Sequence, residues 1–158
     1  MGRVKDSVKV KGFVRFQLVD AKTGKVLGQA TPWIQNRVVD LGFQDYICAS
    51  IGAVSVGATS KQISYMAIGV GTLPAVTDTT LDGETGVRAT TSNTVVSSKT
   101  LQMTCQFAGT DMTSTCTIQN VGLFNTSSGG SMAAGITYAT SQWASNQNVN
   151  ATYQLRFS

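Results

Sequence analysis

The feature that most constrains this chain is a repeated alternation of apolar and polar side chains along single stretches of sequence. In residues 99–108 the apolar side chains fall on every second position, at Leu101, Met103, Cys105 and Phe107. An alternation of period two predicts a strand that buries one face. Residues 13–18 and 149–157 show it too, and Thr- and Val-rich segments bounded by turns lie between them. We therefore expect an all-β fold, an antiparallel jelly-roll-like sandwich or barrel of about eight strands.

Residues 36–51 are the one segment in which apolar side chains recur at helical spacing. The apolar face contains Val39, Phe43, Tyr46 and Ile47. Asp40 is a suitable N-terminal cap and Gly52 a suitable stop, so we predict a single short helix that covers an open end of the β core. Because helices do not alternate with strands, a parallel α/β sheet is excluded. The predicted organisation is a basic N-terminal arm at residues 1–12 and a single β domain at residues 13–158.

The stretch from Ile63 to Arg88 predicts a strand, a break at residues 69–72 and a long polar loop, with a new strand starting near Val87. Residues 87–98 are polar and Thr-rich, as expected for an exposed or edge strand. The glycines of the break begin like a dinucleotide-binding turn, but the third glycine is missing and Pro74 follows, so nucleotide binding is rejected. Three loop carboxylates could attract a hard cation: Asp78, Asp82 and Glu84. Their spacing fits no calcium loop, and we interpret them as solvated. The sequence predicts no metal and no cofactor.

The side chains that most enzymes need are scarce in this sequence. It has no His, which excludes Ser-His-Asp and Cys-His arrangements and removes the commonest metal ligand. Nothing indicates that any two of its Asp and Glu residues converge on one site. We therefore predict that the chain is not an enzyme.

Residues 99–108 and 115–124 are predicted to be consecutive strands, and a hairpin centred between Thr110 and Asp111 would place Cys105 opposite Cys116. A disulfide is then conceivable, but free thiols are the default for a protein made in a reducing cytoplasm. Within residues 115–124 the apolar side chains also change from one face of the predicted strand to the other. A β-bulge near Asn120 would account for this change.

Two tryptophans, Trp33 and Trp143, lie near predicted loop ends and have two interpretations. Exposed indoles could stack on a sugar, which is the basis of a carbohydrate-binding hypothesis. Buried indoles would instead close the end of the core, and single aromatic residues mostly pack in this way. We favour the core interpretation.

The net charge is +4, and the excess of cations lies before residue 40. Such a basic end is either simply solvated or docks on an acidic partner surface. A nucleic-acid partner is not predicted, because no aromatic-and-basic interleaving accompanies the charges. No apolar run approaches the length of a membrane span and the first residues do not form a signal peptide, so we expect synthesis and folding in a cytoplasm and no membrane partner.

Four segments resemble a recurrent pattern in tailed-phage virion proteins. They are Asn36-Arg-Val-Val-Asp-Leu-Gly42, Ser64-Tyr-Met-Ala-Ile-Gly-Val-Gly-Thr72, Thr79-Thr-Leu-Asp-Gly-Glu84 with Arg88, and Ile118-Gln-Asn-Val-Gly-Leu-Phe124. The pattern is similar to that of small capsid decoration proteins, which have a jelly-roll or β-tulip fold and form trimers on the shell. Tail-associated proteins share parts of it. Gln119-Asn120 departs from the pattern, which usually has an acidic residue there, so Glu84 is the expected partner of Arg88.

The resemblance implies a non-enzymatic virion structural protein, a capsid decoration or cement protein on the capsid surface, made in the host cytoplasm. Its implied partners are the major capsid protein and other copies of itself in a homotrimer. From charge and position, the residues expected to bind the capsid or a neighbouring subunit are Arg3, Lys5, Lys9 and Lys11. The alternatives are a tail or fibre component that contacts the host and a carbohydrate-binding β-sandwich.

Overall fold

The computed structural model describes residues 9–48, 61–112 and 115–158. These residues form ten strands, numbered in chain order. They are β1 (Val10–Asp20), β2 (Val26–Leu27), β3 (Ile34–Val38), β4 (Tyr65–Gly69), β5 (Glu84–Thr90), β6 (Ser92–Ser97), β7 (Thr100–Phe107), β8 (Cys116–Phe124), β9 (Met132–Trp143) and β10 (Gln147–Phe157). A π-helix spans Gly42–Cys48 and a short 3-10 helix spans Gly109–Asp111.

The strands join into one antiparallel sheet that curls into a nearly closed barrel. Their order around it is β5-β4-β8-β9-β3-β1-β10-β7-β6, and β2 pairs with β1. The predicted all-β class is confirmed. The strands outnumber the predicted eight partly because residues 87–98, predicted as one polar edge strand, form β5 and β6 with a break at Thr91. Both strands lie at an edge of the sheet, as that polarity predicts.

The alternating stretches bury the faces that their patterns predict. In β1, Val14 and Phe16 are buried while Lys11 and Arg15 are exposed. β1 pairs with β10 from Val10↔Phe157 to Asp20↔Gln147, which aligns the buried positions of the two strands. The barrel core includes large side chains from opposite parts of the sheet, and the rings of Phe107 and Trp143 meet edge to face with centroids 6.1 Å apart.

A second, smaller core lies apart from the barrel interior. It contains Val39, Ala67, Leu81, Phe124 and Met132. Leu81 comes from the loop between β4 and β5, so this loop packs on the sheet rather than extending into solvent. The glycine break at its start is confirmed, with strand pairing ending at Gly69.

The predicted helix at residues 36–51 is wrong in its first part. Residues 36–38 belong to β3, where Asn36 pairs with Gly12 of β1 and Val38 pairs with Ala134 of β9. This segment pairs with β1 on one side and with β9 on the other. The backbone hydrogen bonds of this pairing determine its conformation, although its apolar side chains recur at helical spacing. The helix starts later, and Ile51 and Gly52 lie outside the described residues.

The predicted hairpin between residues 99–108 and 115–124 is also wrong. β7 lies between β10 and β6, whereas β8 lies between β4 and β9. Cys105 is therefore opposite Ala151, and Cys116 is opposite Trp143. Both cysteines are free thiols, as expected by default. The β-bulge is confirmed, because the register of β8 against β9 shifts between Ile118 and Asn120.

The sheet reaches further towards the N-terminus than the predicted arm allows. β1 begins at Val10, and the backbone of Lys9 exchanges hydrogen bonds of 2.8 and 2.9 Å with Ser158. Residues 9–12 thus belong to the barrel. The rest of the predicted arm, residues 1–8, lies outside the described residues.

Candidate functional site

The Arg88 side chain connects two of the segments that carry the virion-protein resemblance, the third and the fourth. Its Nε and Nη2 atoms donate to the two carboxylate oxygens of Glu84 at 2.6 and 2.9 Å. Its guanidinium lies 3.6 Å from the ring centroid of Phe124. Its Nη1 donates to the carbonyl oxygens of Thr126 and Gly129 at 3.0 and 2.7 Å. The expected Arg88–Glu84 pair is therefore present, in a bidentate geometry that favours strong binding.

The contacts of Asn120 explain why this chain lacks the acidic residue that the virion-protein pattern usually has at this position. Its side chain is buried, and Nδ2 donates to the carbonyl oxygens of Thr72 and Asp82 at 3.0 and 2.8 Å. Two carbonyl acceptors require a donor, which an amide supplies and a carboxylate does not. Asn120 thus ties β8 to both ends of the loop between β4 and β5.

The three loop carboxylates do not converge on one site. Asp82 accepts from the backbone and hydroxyl of Thr72, and these bonds, led by the backbone one, lower the pKa of Asp82. Asp78 accepts from the backbone N–H of Ala75 at 2.7 Å. Glu84 binds Arg88. Within the described ranges, no group of three or more His, Cys, Asp or Glu side chains is placed to hold a metal ion.

The two tryptophans have different environments. Trp143 is 0% exposed, and its Nε1 donates to the carbonyl oxygen of Gln147 at 2.9 Å. The core interpretation of Trp143 is confirmed. Trp33 is half-buried, and the guanidiniums of Arg15 and Arg156 lie 4.9 and 5.5 Å from its ring centroid. Trp33 therefore has cationic neighbours, in contrast to Trp143.

The predicted capsid-binding residues are only partly within the described chain. Arg3 and Lys5 lie outside it. Lys9 and Lys11 are exposed at the start of β1, beside cations that the prediction did not include. We call this surface the basic face; its members are Lys9, Lys11, Arg15, Arg37 and Arg156.

Strand pairing assembles the basic face from both ends of the chain. Lys11 of β1 pairs directly with Arg156 of β10. Arg37 of β3 follows Asn36, which pairs with Gly12, so Arg37 lies on the Lys11 side of β1. The sequence alone placed Lys9 and Lys11 in one basic segment. It missed Arg156 because only the pairing of the first and last strands brings that residue to this surface.

An apolar cleft of about 600 Å³ opens at one end of the barrel. Its lining includes Tyr46, Leu101, Leu155 and Phe157. At its rim the Nζ of Lys61 is 2.5 Å from Asp45, and the Tyr46 hydroxyl donates to the Ser131 carbonyl oxygen. Burial is the main cause that raises the pKa of Tyr46. The hydroxyl therefore stays protonated at neutral pH and acts as a structural donor.

Comparison with known proteins gives no relative. No protein-family model, curated protein or solved structure matches this chain. In the part of the chain that the structure describes, no helix combines the length and apolar character needed to cross a membrane.

Proposed function

We propose that this chain is a non-enzymatic virion structural protein. In this proposal it is a capsid decoration protein that binds the outer capsid surface as a homotrimer and stabilises the shell. It is made in the host cytoplasm, and its partners are the major capsid protein and other copies of itself. The proposal starts from the resemblance of four sequence segments to phage virion proteins.

The convergence of three of those segments around Arg88 and Asn120 is the observation that carries the proposal. Arg88, which binds Glu84 of the third segment, also contacts Phe124 of the last segment. Asn120 of that segment binds Thr72 of the second and Asp82 of the third. These segments lie on the neighbouring strands β5, β4 and β8 and in the loop between β4 and β5. Their meeting supports a resemblance that reflects a shared structural unit.

A decoration protein of this kind works by adding interface area rather than by chemistry. Each copy binds where capsid subunits meet, and the added contacts must separate before the shell can open. Many weak contacts repeated over the shell give high avidity. Apolar side chains suited to such contacts are exposed on the barrel, including Val87, Val95 and Leu73.

A reconstitution experiment tests the proposal. The full chain is added to phage shells assembled without it, and genome release is followed with increasing temperature. We expect saturable binding and a release temperature raised by several degrees. Binding to tails with no binding to shells would favour the tail or fibre alternative. No binding to either particle would contradict the proposal.

A further inference from the structure

The cations of the strands are concentrated in one part of the sheet. The adjoining strands β3, β1, β10, β7 and β6 contain one acidic residue, Asp20, at the end of β1. Its carboxylate is engaged in its own turn, where it accepts from Lys22 and Thr23. The cations of the basic face form no ion pair within the described ranges, where the pairs are Lys61–Asp45 and Arg88–Glu84. Among the residues that the structure describes, nothing neutralises the basic face.

This concentration of like charge opposes folding. Lys11 and Arg156 occupy directly opposite positions on neighbouring strands, and like charges placed so destabilise a sheet. A bound anionic partner would remove that repulsion.

Aromatic rings and amides hold the arginines of the basic face in place. The guanidinium of Arg156 lies 4.2 Å from the ring centroid of Phe13, and its Nε and Nη2 donate to Gln154 Oε1 at 2.9 and 2.7 Å. Gln154 in turn donates to Gln102 at 2.8 Å. Arg15 stacks on Trp33. A pre-ordered guanidinium loses less conformational entropy on binding, which favours a specific contact over diffuse attraction.

We propose that the basic face is a docking surface for a carboxylate-rich protein surface. The guanidinium geometry matches carboxylates, which it can bind with two parallel hydrogen bonds. Single-stranded nucleic acid and sugars both need open aromatic rings to stack on, whereas guanidiniums cover the rings of Phe13 and Trp33. The proposal rests on the proposed function only in naming the capsid as the source of that acidic surface.

The first test uses immobilised poly-L-glutamate as the acidic polypeptide and double-stranded DNA as the competing polyanion. The double variant Lys11→Gln/Arg15→Gln is compared with Lys22→Gln/Lys25→Gln, which removes the same charge from exposed positions just after the far end of β1. At about 0.1 M ionic strength we expect the first variant to lose about tenfold in affinity for polyglutamate and the second to change little. The single variant Lys11→Gln changes only an exposed side chain, so it controls for a folding defect in the double variant.

Two results of this test would overturn the proposal. Equal losses in both double variants would mean that net charge, not the basic face, binds the polymer. Tighter binding of DNA than of polyglutamate, with DNA binding lost in the Lys11→Gln/Arg15→Gln variant, would make nucleic acid the partner of this face.

A second test, on phage shells, separates this inference from the proposed function. If the wild-type chain binds shells and the Lys11→Gln/Arg15→Gln variant binds equally well, the docking surface is wrong while the proposed function stands. If the wild-type chain binds polyglutamate through the basic face but does not bind shells, the docking surface stands and the proposed function is wrong.

Discussion

At the scale of single residues, Arg88 joins parts of the chain that are distant in sequence. Its side chain is 6% exposed and binds Glu84, Phe124 and the carbonyl oxygens of Thr126 and Gly129. We expect Arg88→Ala to lower the free energy of unfolding by about 3 kcal/mol, because several charge-assisted hydrogen bonds and a ring contact disappear together. Urea denaturation followed by circular dichroism measures the change.

Two matched variants make this prediction specific. Arg88→Lys keeps the charge but not the bidentate geometry, so it should lose about half as much stability. Lys25→Ala removes an exposed cation and should change the free energy of unfolding by less than about 0.5 kcal/mol. An Arg88→Ala chain as stable as the Lys25→Ala chain would contradict the role given to Arg88.

Asn120 provides a second prediction at this scale. In Asn120→Asp a buried carboxylate would face the carbonyl oxygens of Thr72 and Asp82, so we expect a loss of about 3 kcal/mol and faster proteolysis in the loop between β4 and β5. Asn120→Ala should lose less, because it removes the donor without adding a charge. Limited proteolysis with mass spectrometry identifies the cut sites. Unchanged cleavage in both variants would show that Asn120 does not anchor this loop.

Buried thiol and phenol groups predict a loss of stability at alkaline pH. Burial raises the pKa of Cys105 from 9.0 to about 12, and it raises the pKa of Tyr153 well above its ordinary value. A group whose pKa is higher in the folded chain than in the unfolded chain makes its full contribution to stability at pH values below the unfolded-state pKa. That stability is lost as the pH rises towards the folded pKa. We expect the urea midpoint to fall between about pH 9 and 12, and to fall less in Cys105→Ala.

At the scale of the strand, local pattern was a good guide to the elements and a poor guide to their neighbours. Strands β1, β7 and β10 follow from period-two alternation, which depends on nearby residues alone. The neighbours of β7 do not follow from it, because β10 comes from the end of the chain. Asn36–Val38 has helical spacing in the sequence, yet pairing with β1 and β9 makes it a strand. Such tertiary contacts leave no local signal.

The edge strand β6 leads to a prediction about association. All six of its residues are exposed, it carries no charge, and Val95 is 72% exposed. Edge strands that lack charge and expose apolar side chains tend to pair with other chains. We expect Val95→Lys to reduce light scattering in concentrated solution and to change the free energy of unfolding by less than about 0.5 kcal/mol.

The same substitution at a buried position is the control for this prediction. Val149 is 0% exposed in β10, and Val149→Lys should prevent stable folding because it buries an unpaired charge. Scattering that persists in Val95→Lys would show that β6 does not drive association.

At the scale of the whole molecule, the barrel brings separate parts of the sequence into two clusters of side chains. The first lies where three of the resembling segments converge around Arg88 and Asn120. The second is the basic face, of which the sequence predicted Lys9 and Lys11 and missed Arg15, Arg37 and Arg156. The missing cations could not be assigned without the order of strands, since charge alone does not say which residues share a surface.

The central claim is that this chain decorates a capsid, and its copy number in purified virions tests that most directly. Quantitative mass spectrometry gives the ratio of this chain to the major capsid protein. We expect a ratio of about one, because a cementing protein must cover the whole shell to stabilise it. A ratio of a few per hundred would place the chain on the tail, and its absence from virions would contradict the claim entirely.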